Sequence, residues 1–324
     1  MNKFFCAEAS RQAGEAMIGS ASPYETYVLI ECPTPWTPAA FDSPQIPASL
    51  KALIAEKQPE RSLRFLLITR HPHAHPHSPL TKVLIYQQEK QEFSSGYRKC
   101  EFDVADLDQA ASVIRSYLSG KIVSSTTNPS QDVLICTHGS HDKCCAKYGL
   151  LFYRQAIAIA APLENLRIWQ SSHFGGHRFA PTAISFPDGR YYGNLNAGDF
   201  QAIATRTGNI QDLSAIYRGW SMLPAPLQVM ERKLLLEYGW NWFDYKIAYR
   251  VLGQSLDGNL IQAELSFQQP DQTIHIYHAD LLKDHCQSVC LKGSCDASKA
   301  SLFVKYAVDN LRLHSLQAVC LSQV

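Results

Sequence analysis

The residues best suited to chemistry stand between positions 136 and 177. Cys136, His138, His141, Cys144 and Cys145 form one group, and His173 and His177, with Gly175 and Gly176 between them and Arg178 beside them, form the other. Thiols and imidazoles bind soft and borderline metals, and pairs at such short spacing can converge on one centre. Two cysteines with two histidines complete a donor set for either a zinc ion or a [2Fe–2S] cluster. A zinc finger would have a tighter cysteine pair and about twelve residues before its histidines. Here 27 residues, including a whole expected helix, separate Cys145 from His173. That spacing argues against a finger and leaves zinc in another setting open. The glycines at 175 and 176 let the backbone come close to bridging sulfides and donate N–H groups to them.

Strands must deliver these groups to one place. Residues 132–136 read as a buried strand ending in Cys136, and 145–161 have helical periodicity with Pro162 as the stop. Residues 166–170 form a second strand that carries the chain to His173, and 182–186 and 190–192 make a hairpin around Pro187, Asp188 and Gly189. Terminal helices are expected over 199–207 and 212–218. This β–α–β–β–α order is what a thioredoxin-like domain requires. Upstream, strands are expected at 27–31, 63–69 and 82–87 and helices at 46–55 and 104–118, an α/β N-terminal region. The polar segment 123–131 reads as a linker. Downstream, helices are expected over 227–238 and 242–252, strands over 260–268 and 273–278, and a strand or short helix over 302–313. The division is 1–125, 126–220 and 221–324, an α/β (overall α+β) chain with no internal repeat.

The bulk numbers exclude several classes. At 324 residues, 46% apolar and 18% charged, the composition is that of a globular protein of two or three domains. A net charge of +1 gives no case for nucleic acid, and no basic run points to a membrane surface. The N-terminus lacks a signal peptide's apolar stretch, so a cytoplasmic location is expected. Ten cysteines in a reducing compartment read as buried thiols, ligands or redox groups before disulfides.

Residues 132–193 resemble the sucrase/ferredoxin-like family. The motifs are Cys136 and Cys145 with eight residues between them, then His173, Phe174, Gly175, Gly176, His177 and Arg178, and the strand Tyr191, Tyr192, Gly193. The resemblance extends more loosely to Glu31–Trp36. It implies a thioredoxin-like ferredoxin of the bis-histidinyl, non-Rieske branch, with Cys136, Cys145, His173 and His177 as ligands of a [2Fe–2S] cluster. Cys144 matches no ligand position. No carboxylate pair supports the "sucrase" in the family name. Two thiolates and two neutral imidazoles leave an oxidised cluster near neutral, so its potential is expected above the roughly −400 mV of plant-type ferredoxins. An imidazole with a second N–H should make that potential fall as pH rises, and Arg178 is a candidate for stabilising the reduced form.

The function expected is a soluble electron-transfer protein, a redox carrier before a substrate-transforming enzyme, exchanging electrons with unidentified donor and acceptor proteins. Two readings compete: a zinc-stabilised Cys2His2 structural or interaction module, and a cluster-dependent oxidoreductase acting on a small substrate. His138 and His141 read as loop residues or donors to the ligands. Asp142 reads as a bond to the loop backbone. Cys286, Cys290 and Cys295 are a candidate second metal site without the spacing of common zinc or [4Fe–4S] motifs. His71, His73, His75 and His77 read as an exposed loop with weak metal affinity at most.

Overall fold

The structure, a computed structural model, describes residues 4–70, 80–122 and 129–317. A short helix α1 (Cys6–Gln12) precedes two runs of the same element order. The first is β1 (Thr26–Glu31), α2 (Ala48–Lys57), β2 (Leu63–Thr69), β3 (Thr81–Gln88), β4 (Tyr97–Val104) and α3 (Leu107–Leu118). The second is β5 (Gln131–Cys136), α4 (Leu150–Ala160), β6 (Leu166–Ser171), β7 (Ala183–Phe186), β8 (Arg190–Tyr192) and α5 (Ala197–Thr205). Their strands are ordered alike, β4-β3-β1-β2 and β8-β7-β5-β6, with only the β1/β2 and β5/β6 pairs parallel. Edge strands β2 and β6 pair antiparallel at Ile68–Ser171 and Thr69–Gln170 and fuse the runs into one mixed sheet of nine strands. A ninth strand, β9 (Tyr217–Trp220), completes the far edge.

No internal repeat is visible in the sequence, yet the architecture occurs twice. Strand side chains alternate between faces, and here both faces are buried. Val28 and Ile30 pack under α2 and α3 against Leu50, Leu53 and Ile114, and Val133 and Ile135 pack under α4 and α5 against Phe152 and Phe200. The opposite faces, Tyr27 and Leu29 of β1 with Leu134 and Cys136 of β5, share a single core with Trp169 and Tyr191. Tyr86 stacks on Phe186 at 4.3 Å, and the Tyr27 and Tyr191 hydroxyls lie 2.8 Å apart. The sheet therefore folds back so that its two units meet face to face.

That contact also buries charge. Asp132 of β5, fully buried, accepts from Arg167 Nε at 2.7 Å, Arg167 Nη2 at 2.9 Å, Trp169 Nε1 at 2.6 Å and the Tyr86 hydroxyl, with Lys99 Nζ at 2.7 Å. Arg167 also forks onto Glu101 at 2.8 and 3.0 Å, and Lys82 reaches Glu101 at 2.8 Å. Lone ions would be costly here; pairing and full hydrogen bonding make the burial tolerable.

Helix α6 (Ala225–Tyr238) leads to a separate antiparallel sheet of β10 (Lys246–Gln254), β11 (Leu260–Gln268), β12 (Ile274–Leu291) and β13 (Ser301–Gln317). Its inner face, including Leu265, Phe267 and Leu281, packs with Leu234, Leu235 and Trp242 in the same core as α4 and α5.

Several expectations change. Residues 242–252 are not a helix: a 3-10 turn at Gly239–Asp244 is followed by β10, whose pairing with β11 overrides the weak helical pattern. Residues 212–218 become a 3-10 turn, Ile210–Ala215, running into β9. Strand β4 escaped notice because Arg98, Lys99, Glu101 and Asp103 hide its register. Residues 302–313 lie in a strand. Of the expected linker, 123–128 lie outside the described residues, as do His71, His73, His75 and His77.

Candidate metal centre

Strand β5 ends at Cys136, with its side chain in the core between the two units. The chain then loops over Gly139 and enters a π-helical turn, Cys145–Gly149, ahead of α4. A Cβ on Gly149 would overlap the Cys136 carbonyl oxygen, so glycine lets this turn lie directly on the strand end. The loop returns Cys145 to Cys136, with their sulfurs 3.3 Å apart. Strand β6 delivers His173, whose Nδ1 lies 3.6 Å from the Cys136 sulfur and 3.8 Å from that of Cys145. The donor atoms of these three residues all lie within 4.8 Å of one another.

His177 stands beside this group, its ring centroid 4.8 Å from that of His173. Its Nδ1 turns the other way, 3.0 Å from Asp142 Oδ2 and 3.4 Å from the Cys6 sulfur. His138 orients His173: its Nδ1 accepts from the His173 amide at 3.2 Å, and its Nε2 lies 2.8 Å from the Thr37 carbonyl oxygen. That pattern requires the proton on Nε2. His141 stacks on His173 at 4.1 Å. The three histidines border a cleft of about 490 Å³ that is also lined by Phe41, Lys51 and Arg64.

The thiols are electrostatically unequal. Burial opposes a charge on Cys136, yet the bonds from Cys145 and His173 outweigh it and hold this thiol well below its ordinary pKa. The same bond, with burial, pushes Cys145 well up. Together they behave as one thiolate and one thiol sharing a proton. Burial keeps His173 neutral to lower pH than usual.

Two arginines stand near this site, and they differ in their pairing. Arg178 is paired with Glu15, 3.0 Å away, a carboxylate it shares with Lys305 at 2.8 Å, and sits 3.8 Å over the Phe303 ring. Arg218 is 2% exposed and forms no ion pair among the described residues. Its guanidinium donates to the Gly175 carbonyl at 3.1 Å and the Ser20 carbonyl at 2.8 Å. Gly176, at φ 82°, has no room for a Cβ because that guanidinium lies against it. Burial lowers the Arg218 pKa to about 10, opposed by the nearby Tyr191 and Cys136.

A second convergence of sulfur was missed. Cys144 faces away from Cys145, and its sulfur lies 3.5 Å from Cys6 and 3.4 Å from Cys295. Adjacent residues entering a helical turn point in different directions, so the Cys144-Cys145 doublet carried the signal. The candidate trio of Cys286, Cys290 and Cys295 is not brought together. Cys286 and Cys290 lie exposed on β12, whereas the β12–β13 connection carries Cys295 inward to Cys6 and Cys144.

The family model of sucrase/ferredoxin-like proteins matches residues 17–219. The chain belongs to the sucrase/ferredoxin-like family. The matched span holds Cys136, Cys144, Cys145, His173 and His177 and leaves out Cys6 and Cys295. A curated relative, altered inheritance of mitochondria protein 32 from Meyerozyma guilliermondii, is 33% identical over 81 residues, which are 23% of this chain and 29% of that protein. The chain thus spans under a third of that relative's length. No solved structure matches it. Among the described residues, no helix of this sucrase/ferredoxin-like chain is long and apolar enough to cross a membrane.

Proposed function

We propose that this protein carries single electrons at a [2Fe–2S] centre held by Cys136, Cys145, His173 and His177. The observation supporting this most directly is the buried meeting of the Cys136 and Cys145 sulfurs with His173 Nδ1, within 4.8 Å of one another. The surroundings fit an electron-accepting group that gains a negative charge on reduction. Arg218 is a buried cation without a carboxylate partner among the described residues, and no described atom lies within 4 Å of where a Gly175 Cβ would be. Asp142 engages His177 Nδ1, the usual way a carboxylate orients a ligating imidazole, so His177 would bind through Nε2. When bound, such a cluster supplies reversible one-electron chemistry at a potential above plant-type ferredoxins. His138 fixes the orientation of His173, and His141 stacks between that ring and the cleft, where redox partner proteins would approach. A cytoplasmic location belongs to the same reading, since it keeps the nine free thiols among the described residues reduced.

Anaerobic purification with iron and sulfide counts, followed by EPR of the dithionite-reduced protein, tests the proposal. A red-brown protein whose visible bands bleach on reduction and vanish in Cys136→Ser supports it. Colourless protein from iron-replete cells, holding zinc that Cys136→Ser removes, favours the second reading, a zinc-stabilised module. The compact spacing of the three donors around one point is what speaks for that reading.

A further inference from the structure

Cys6, Cys144 and Cys295 come from three distant parts of the chain: the start of α1, the loop before the π-helical turn, and the β12–β13 connection. All three are buried and free. Their sulfurs form a near-equilateral triangle of 3.4, 3.5 and 3.7 Å. A disulfide would hold two sulfurs at about 2.05 Å and leave the third out. Around one tetrahedral ion with metal–sulfur bonds of about 2.3 Å, the edges of the tetrahedron come to about 3.8 Å. The triangle is close to that size.

The backbone is arranged to hold these sulfurs in place. Asp142 accepts from the Cys144 amide at 2.8 Å through Oδ1 and from the Cys295 amide at 2.9 Å through Oδ2. The Ala7 amide donates to the Cys144 sulfur at 3.4 Å, the kind of contact that steadies a metal-bound thiolate. A carboxylate oxygen of Asp142 lies within 4.8 Å of all three sulfurs and is the fourth donor of the group. This cluster is distinct from the Cys136, Cys145 and His173 group, although Cys144 and Cys145 are adjacent.

We propose that Cys6, Cys144, Cys295 and Asp142 form a second, mononuclear metal site for zinc or a similar thiophilic divalent cation. Three thiolates and a carboxylate with no open position make it a closed, structural site. Binding exchanges the thiol protons for the cation and requires no oxidant. Its effect is to fasten α1 and the β12–β13 connection onto the loop that bears Cys145. Two of its ligands, Cys6 and Cys295, lie outside the span matched by the family.

The test is metal analysis of the full chain produced with both iron and zinc supplied. The expected result is about one zinc per chain, lost in the Cys6→Ser/Cys295→Ser double variant while iron is retained. Cys136→Ser should show the reverse, which separates this proposal from the electron-carrier reading. Should the double variant fail to fold, alkylation mass spectrometry on the unaltered protein replaces it. Cys6, Cys144 and Cys295 should resist labelling until a zinc chelator is added, while exposed Cys286 and Cys290 react throughout. Cobalt substitution should give the ligand-field spectrum of a tetrahedral thiolate site. Wild-type protein without zinc, zinc that survives loss of Cys6 and Cys295, labelling unaffected by chelator, or a disulfide among the three would each overturn the proposal.

Discussion

Replacing Asp132 by Asn tests whether the charged seam between the two units holds them together. Its carboxylate receives two bonds from Arg167 and one each from Trp169, Tyr86 and Lys99, at complete burial. Asparagine keeps the shape, removes the charge and turns a donor toward donors, leaving Arg167 and Lys99 to share the Glu101 carboxylate. Breaking one partner out of a buried ion pair costs about 3–5 kcal/mol. At about 2–4 °C per kcal/mol for chains of this order of size, the melting temperature should drop by on the order of 10 °C. The pH dependence gives a second readout. Burial raises the Asp132 and Glu101 pKa values, but bonds to Arg167, with Lys99 and Lys82, outweigh it, and Glu101 ends at about 2. Both folded values lie below the unfolded ones, so the stabilisation is complete above the ordinary carboxylate range and is lost as pH falls toward 2. For Glu101 it amounts to about 3 kcal/mol at neutral pH. Urea titrations from pH 7 down to about 3 should show a shallower acid loss in the variant than in the parent. A loss under about 1 kcal/mol with an unchanged acid profile would refute the reasoning.

Other substitutions separate the roles of single groups. Cys145→Ser should abolish the visible spectrum and halve the iron or worse, read by absorbance and metal count. Arg218→Gln removes the buried cation beside the His173–His177 loop. At a separation on the order of 8 Å and an effective dielectric of about 20, that charge stabilises an added electron by about 2 kcal/mol, so the midpoint potential should fall by about 90 mV. Arg178→Gln, which removes a cation already paired with the Glu15 carboxylate shared with Lys305, should move it less in the same titration. Gly149→Ala should lower stability by several kcal/mol in denaturant titration, since its Cβ must displace the Cys136 carbonyl.

Much of the second unit was legible because its strands are short apolar runs with plain punctuation. Residues 132–136, 166–170 and the hairpin around Pro187 lie within a residue of β5, β6, β7 and β8. The donors Cys136, Cys145 and His173 stood out because rare residue types recurred at close spacing, and the structure gathers them. Pairing over long distances was not legible. Nothing local announces that residue 295 meets residue 6, or that β2 and β6 share an edge. Strand β4 was hidden by its charges, two of which, Lys99 and Glu101, find their partners Asp132 and Arg167 in the other unit. The repeat was hidden for a related reason: a sheet face needs apolar alternation and volume, which many sequences supply. Arg218, in a stretch of ordinary composition, had no neighbour in sequence to mark it.

Where β5 presents Cys136, the matching strand β1 presents Glu31, and the first unit gathers no donor group among the described residues. That unit lies across the Cys136 side of the second as a wall of tyrosine and leucine. A redox centre so walled would be approached through the cleft rimmed by Phe41, Lys51 and Arg64. Traffic of electrons would then be governed by which surfaces fit that rim.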